Sequence, residues 1–365
     1  MSSITAAVLR EIRGTFSLET LTLAEPADDE VRVRLAGTGI CHTDLNIRDG
    51  GLPFPLPAIL GHEGAGIVEA VGANVTHVQP GDAVVLSFAA CGHCDACRHA
   101  RPPYCDDGHT LNFSGQRSGG SAYAAPDGSP VSGRFFGQSS FATHTLAHHS
   151  CVVRVAGDLP IATLGPLGCG LQTGAGAVLN VLQPQAGSSI AVFGVGAVGM
   201  AAVMAARIAG CTTIIAVDRN RERLQLALEL GATHGIDATS ERPGRRIAEL
   251  SGGGVHYSVE CSGVPEVLAQ AVRVLRIGGS CAMLGLPAAA AEVSLPMLHL
   301  LNGRSVRGVM EGDSDPARFI PQLIDYWRQG RFPFERLVQS FPLREINEAI
   351  AAVERGGVIK AILVP

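Results

Sequence analysis

Four cysteines fall within fifteen residues, as Cys91-Gly-His-Cys94-Asp-Ala-Cys97 followed by Cys105. At this spacing four thiolates can close a tetrahedron around one ion. Zinc suits such a set: it accepts sulfur, has no d-electron preference of its own, and is held by four protein ligands in structural sites. A cysteine-bound iron–sulfur cluster is the competing reading. Disulfides are a third, although they belong to short secreted chains rather than to one of 365 residues with no signal-peptide pattern at its start. A closed zinc site stabilises a fold and performs no chemistry.

Chemistry needs an open site, and other residues offer one. Cys41 stands in GICHTD (39–44), His62 and Glu63 in GHEG (61–64), and Cys169 in GPLGCG (165–170). Two thiolates and an imidazole around an ion with a free fourth position would form a catalytic centre. Spacing does not join these three, since isolated cysteines and histidines are usually core or surface residues. His93, His99 and the pair His148-His149 read as surface histidines, because the cysteines already saturate the structural ion.

The elements that position these residues read as two kinds. Up to about residue 150, short β-rich runs such as 31–35 and 81–86 alternate with Gly/Pro loops, and 105–137 is a long loop region ordered against its neighbours. From about residue 170 strand and helix alternate: strands at 189–193, 212–217, 257–260 and 280–284, helices at 200–209 and 221–230. That rhythm implies a parallel sheet with crossover helices. Gly194-Val-Gly196-Ala-Val-Gly199 follows the first of these strands and opens a helix, and Asp218 ends the next strand. This is the dinucleotide fingerprint in its required context: glycines for the turn and the close pyrophosphate approach, and a carboxylate for the ribose hydroxyls. Asp218 would repel a 2′-phosphate, so NAD is expected rather than NADP, with Arg219 partly offsetting the repulsion.

The run GHEGAGIVEAVG (61–72), together with CHTD, the four-cysteine lobe, GPLGCG and the fingerprint in that order, resembles the zinc-dependent medium-chain alcohol dehydrogenases. The likeness covers essentially the whole chain. CHTDL, FFGQSSFATH (135–144) and GPLGCGLQTGAGAVLN (165–180) are most similar to the aryl- or benzyl-alcohol dehydrogenases. The resemblance implies a GroES-like catalytic domain over 1–170, a Rossmann domain over 171–309 and a return to the catalytic domain over 310–365. It implies two zinc ions per subunit, a catalytic one on Cys41, His62 and Cys169 and a structural one on Cys91, Cys94, Cys97 and Cys105. That catalytic ligand set is the one associated with alcohol dehydrogenases in general.

The same resemblance assigns roles. Thr43 takes the alcohol proton, Asp44 orients His62, and Glu63 sits beneath the zinc. His42 and Lys360 meet the pyrophosphate. Thr173 and Val198 lie against the nicotinamide, with Arg223 also on the cofactor, and Phe88, Leu286 and Met310 wall the substrate pocket. Asn46 stands where relatives end the proton relay with histidine, and an amide cannot accept that proton near neutral pH.

A net charge of −5 without a basic block gives no reason to expect nucleic acid or a membrane surface as partner. A cytoplasmic location is expected, and the resemblance implies a homodimer or homotetramer. The reading is therefore oxidation of aromatic or bulky unsaturated primary alcohols with NAD. The alternatives are S-(hydroxymethyl)glutathione oxidation and a zinc-stabilised nucleotide-binding protein without activity. The glutathione adduct would want cations at the pocket mouth, and Arg117 is the one Arg or Lys between Tyr104 and Ser132.

Overall fold

The computed structural model describes residues 1–117 and 119–365. They divide into two compact units: residues 1–169, 315–322 and 335–365 form one, and residues 170–314 and 323–334 the other.

The first unit is built on two sheets. One has five strands in the order Ala58–Ile59, Ser2–Leu9, Phe16–Leu23, Tyr123–Ala124, Pro130–Val131. The other has seven, in the path Val152–Val155, Ala83–Leu86, Glu63–Val71, Glu30–Gly39, Lys360–Val364, Val338–Pro342, with His144–His148 also paired to Glu30–Gly39. Period-2 patterning explains the central strand. Val31, Val33 and Leu35 are buried while Arg32 and Arg34 face outward. Register then does the positioning, because Gly39 lies opposite both Glu63 and Ile362. Three segments distant in sequence therefore reach one end of the sheet together.

The second unit is a six-stranded sheet, ordered His234–Asp237, Thr213–Asp218, Ser189–Phe193, Val255–Glu260, Leu275–Met283, Ser305–Gly308. Every pairing in it is parallel. In sequence order this is 3-2-1-4-5-6, the doubly wound arrangement whose switch point lies beside the first strand. All five residues of Ser189–Phe193 are buried, as a central parallel strand requires. The first helix spans Ala197–Ile208, three residues earlier than its apolar run suggests. The 105–137 region, read as loop, contains the helix Gly108–Phe113 and two short strands.

The C-terminal boundary is corrected. Residues 310–314 and 323–334 belong to the dinucleotide unit, and only 315–322 and 335–365 to the first. Val309 packs with Ala177 and Ala282, and the Ser314 hydroxyl donates to Gln172 at 3.0 Å, which ties this stretch to the second unit.

Candidate metal centre and dinucleotide site

Cys41 is the N-cap of the helix His42–Arg48, and its backbone N–H donates to Asp44 Oδ2 at 2.8 Å. Asp44 Oδ1 accepts from Gly61 N–H and from His62 Nδ1, both at 3.0 Å, and Asp44 and His62 are fully buried. The contact with Asp44 engages Nδ1 and leaves Nε2 as the nitrogen available to a metal. That Nε2 is buried and has no hydrogen-bond partner. A buried polar atom without a partner is costly unless something absent from a bare chain satisfies it.

Cys169 supplies the next donor, at the end of the short helix Gly165–Gly168. A Cβ on Gly165 would lie 1.9 Å from the Glu63 carbonyl, so only glycine lets this loop press against the strand that begins at Glu63, directly after His62. Donor atoms of Cys41, His62, Glu63 and Cys169 lie within 4.8 Å of one another. Hydrogen bonding to Cys169, with the nearby imidazole, holds the Cys41 thiol well below its ordinary pKa. Burial alone would lower the His62 pKa, yet Asp44 and the Cys41 thiolate together raise it well above normal. Thiolates and an oriented imidazole with an orphaned nitrogen fit a zinc ion.

The loop 134–139 covers this centre. The His62 ring stacks on Phe136 at 4.4 Å and meets the edge of Phe135 at 5.1 Å. Gln138, fully buried, donates to the carbonyls of His62 (2.9 Å) and Ser87 (2.7 Å) and accepts from Gly64 N–H at 3.1 Å. Sequence reasoning assigned neither Phe136 nor Gln138 a role. The one available signal is an amide in the otherwise small and aromatic run 135–139.

Thr43 is half-buried with its hydroxyl 3.7 Å from Cys41 Sγ, and His42 is exposed. Asn46 Oδ1 is buried without a partner. Lys360 departs from expectation. It is 3% exposed and its ammonium bonds Glu63 Oε1 and Oε2 at 2.8 Å each, so it is an internal counter-ion to that carboxylate.

In the second sulfur cluster, donor atoms of Cys91, Cys94, Cys97 and Cys105 also lie within 4.8 Å of one another. Cys91 and Cys97 Sγ are 4.0 Å apart, near the ~3.8 Å edge of a tetrahedron with Zn–S of ~2.3 Å. None of the ten cysteines is in a disulfide. Backbone N–H donors at Asp106 and Cys97 pull the Cys94 thiol down to about 6, so it is largely thiolate at neutral pH. His93 and His99 are exposed as expected, but His148 is not a surface residue. It is 7% exposed, with Nδ1 2.7 Å from the Ser150 hydroxyl.

In the second unit the fingerprint forms the turn between the strand Ser189–Phe193 and the helix Ala197–Ile208. A Cβ on Gly199 would lie 2.0 Å from the Gly194 carbonyl, and Gly196 has open space beside it. Asp218 Oδ2 accepts from Val195 N–H at 2.8 Å, and Oδ1 from Arg219 and Asn220 N–H at 2.7 and 2.9 Å. Three of about four lone-pair positions are thus used to fix the carboxylate, leaving capacity for a ribose hydroxyl. Thr173 lies on the helix Gly170–Gly176, which touches the start of the next helix: a Cβ on Gly174 would be 1.9 Å from the Val198 carbonyl. Arg223 is half-buried on the helix Arg221–Leu230, its Nε without a partner. Of the expected pocket residues, Phe88 is buried, whereas Leu286 and Met310 are 46% and 55% exposed.

Comparison with known proteins decides the family. The alcohol dehydrogenase GroES-like domain matches residues 27–156, and the zinc-binding dehydrogenase domain matches 197–326. The geraniol dehydrogenase of Castellaniella defragrans is 46% identical over 367 aligned positions, covering 99% of this chain and 98% of that protein. The chain belongs to the zinc-dependent medium-chain alcohol dehydrogenases. The benzyl alcohol dehydrogenase structure from Acinetobacter calcoaceticus superposes with a TM-score of 0.96 at 44% identity, over 100% of this chain and 99% of that one. An alcohol dehydrogenase zinc-binding domain protein from Burkholderia ambifaria gives 0.98 at 49% identity, over 100% and 99%. The two units are accordingly a GroES-like and a Rossmann-type domain, and zinc is the metal of this dehydrogenase family.

Proposed function

We propose that this alcohol dehydrogenase oxidises primary alcohols whose carbinol carbon is attached to an unsaturated apolar group, giving the aldehyde and reducing NAD. The observation that carries the reading is its similarity to enzymes named for benzyl alcohol and geraniol, at 44% and 46% identity over nearly whole chains. Both alcohols are primary and yield conjugated aldehydes. Phe136, half-buried and stacked on His62, supplies apolar surface of the matching kind.

When bound, zinc supplies Lewis acidity toward the alcohol oxygen and NAD the hydride acceptor. Cys41, His62 and Cys169 would hold the catalytic ion, and the four-cysteine lobe a second, structural one. Asp44 fixes the His62 tautomer. The Thr43 hydroxyl, both donor and acceptor, takes the alcohol proton and passes it on without storing charge. Asn46, an amide, cannot be the final base. Asp218, held by three backbone N–H groups, accepts from the adenosine ribose and disfavours a 2′-phosphate. Ten cysteines, none in a disulfide, suit a reducing, cytoplasmic compartment.

Oxidation of S-(hydroxymethyl)glutathione is disfavoured because Arg117, the cation it would call on, is committed to the buried Glu30 at 2.6 Å. A quaternary role fits the edge of the Rossmann sheet. The strand Ser305–Gly308 is exposed along its length, beside exposed Met297, Leu298 and Leu301, and we assign it to pairing with a second copy. The function is tested by kcat/KM for benzyl alcohol, geraniol, ethanol and S-hydroxymethylglutathione with both nicotinamide cofactors. Benzyl alcohol or geraniol should exceed ethanol by about tenfold or more, since an unsaturated group buries far more apolar area than a methyl. A preference for the glutathione adduct would overturn the proposal.

A further inference from the structure

Glu63 is an anion beside the Cys41–His62–Cys169 centre, with a carboxylate oxygen inside the same 4.8 Å cluster of donor atoms. It is chemically able to fill the position that a catalytic zinc keeps open. Lys360 stands against this. Its Nζ bonds Glu63 Oε1 and Oε2 at 2.8 Å each and the Ile40 carbonyl at 3.0 Å, which uses all three ammonium hydrogens. Glu63 is fully buried and Lys360 3% exposed. The sheet builds the seat for this pair. A Cβ on Gly39, which lies opposite Glu63, would fall 2.0 Å from Glu63 Oε2, so the carboxylate occupies the room that a side chain there would take.

We propose that Lys360 is a positioning residue that holds Glu63 as a counter-ion off the metal, keeping the fourth coordination position free for the alcohol oxygen. This rests on the reading of the centre as a catalytic zinc site. A buried carboxylate stays ionised only beside a cation. Without Lys360 the metal is the cation left within reach, and attraction across a few ångströms of protein interior draws the carboxylate to it. A centre with four protein ligands is a closed one, slow to release its ion and without room for substrate.

The test uses full-length protein with cobalt(II) in place of zinc, because its visible absorption reports ligand number and type. Lys360→Met should alter the catalytic-site cobalt spectrum and slow removal of that ion by a chelator about tenfold, the scale on which groups around metal ligands act. Adding Glu63→Gln should return both readouts to wild-type values, because an amide is a poor metal ligand. Lys360→Arg, which keeps the cation, should leave the spectrum unchanged. Should Lys360→Met not fold, Lys360→Gln makes the same comparison while retaining a donor for Ile40. An unchanged spectrum and release rate in the neutral variant overturns the proposal, as does a change that persists when Glu63 is also neutral. A wild-type chain that binds only the four-cysteine ion would overturn the catalytic-zinc reading, and the role of Lys360 with it.

Discussion

Asp44 and Asp218 do similar work with different partners: each carboxylate is fixed by backbone N–H groups before it meets a functional group. Asp218→Gly removes the ribose acceptor and the repulsion of a 2′-phosphate, with Arg219 adjacent. The preference for NAD over NADP should fall by about 2–4 kcal/mol, given that hydrogen bonds to charged groups are worth about 1.5–3 each. An unchanged ratio of kcat/KM for the two cofactors would place Asp218 outside the site. His148 sets a pH limit on stability. Burial, then the charges of Arg134 and His149, lower its pKa to about 4 from 6.5, and its Nδ1 accepts from Ser150 N–H. A histidine depressed in the folded state stabilises above its unfolded pKa, and that contribution is lost as pH falls from about 6.5 to about 4. Full protonation costs up to about 3 kcal/mol. His148→Asn, which keeps an acceptor but cannot titrate, should flatten the Tm profile over that window. Parallel profiles for the two proteins would exclude the role.

At the level of elements, two loops carry the sulfur chemistry, and they should fail differently. The lobe 91–105 consists of short helical turns, Asp95–Arg98 and Pro102–Tyr104, in which the four cysteines are the shared anchor. Metal binding there is folding energy. Cys91→Ser should lose one zinc per chain and lower Tm by about 10 °C, since each kcal/mol shifts Tm about 2–4 °C at this domain size. Cys169 sits instead on a loop anchored by its own glycines against a finished sheet. Cys169→Ser should abolish turnover and shift Tm by less than the Cys91 variant. Metal analysis with activity on both proteins checks the division, and normal turnover in both variants would refute it.

For the whole molecule, the prediction concerns assembly. The strand Ser305–Gly308 is an edge of the six-stranded sheet and is exposed along its length, and Met297 and Leu301, a few residues before it in sequence, are 84% and 81% exposed. An apolar edge of this kind in a monomer invites association. Light scattering should find at least a dimer, and the double change Met297→Glu and Leu301→Glu should shift it toward monomer. A wild-type monomer at micromolar concentration would remove the interface.

The sequence alone was sufficient wherever the chemistry is local. The four cysteines lie in one short loop, and the fingerprint with Asp218 lies in one strand–turn–helix–strand unit, so spacing carries the geometry. The alternation of strands and helices after residue 170 likewise reflects burial on both faces of a parallel sheet. Cys41, His62 and Cys169 could be joined by resemblance but not by spacing. Their meeting depends on the register that sets Gly39 against Glu63, and on a glycine loop that presses on that strand. The setting of Lys360 has the same long-range origin. Its neighbours match a phosphate-binding position, yet its partner Glu63 is 297 residues away in sequence. The antiparallel pairing of Lys360–Val364 with Glu30–Gly39 turns the ammonium inward. Pairing register is a long-range property set by which faces become buried, and only the folded sheet decides which charges must then neutralise one another.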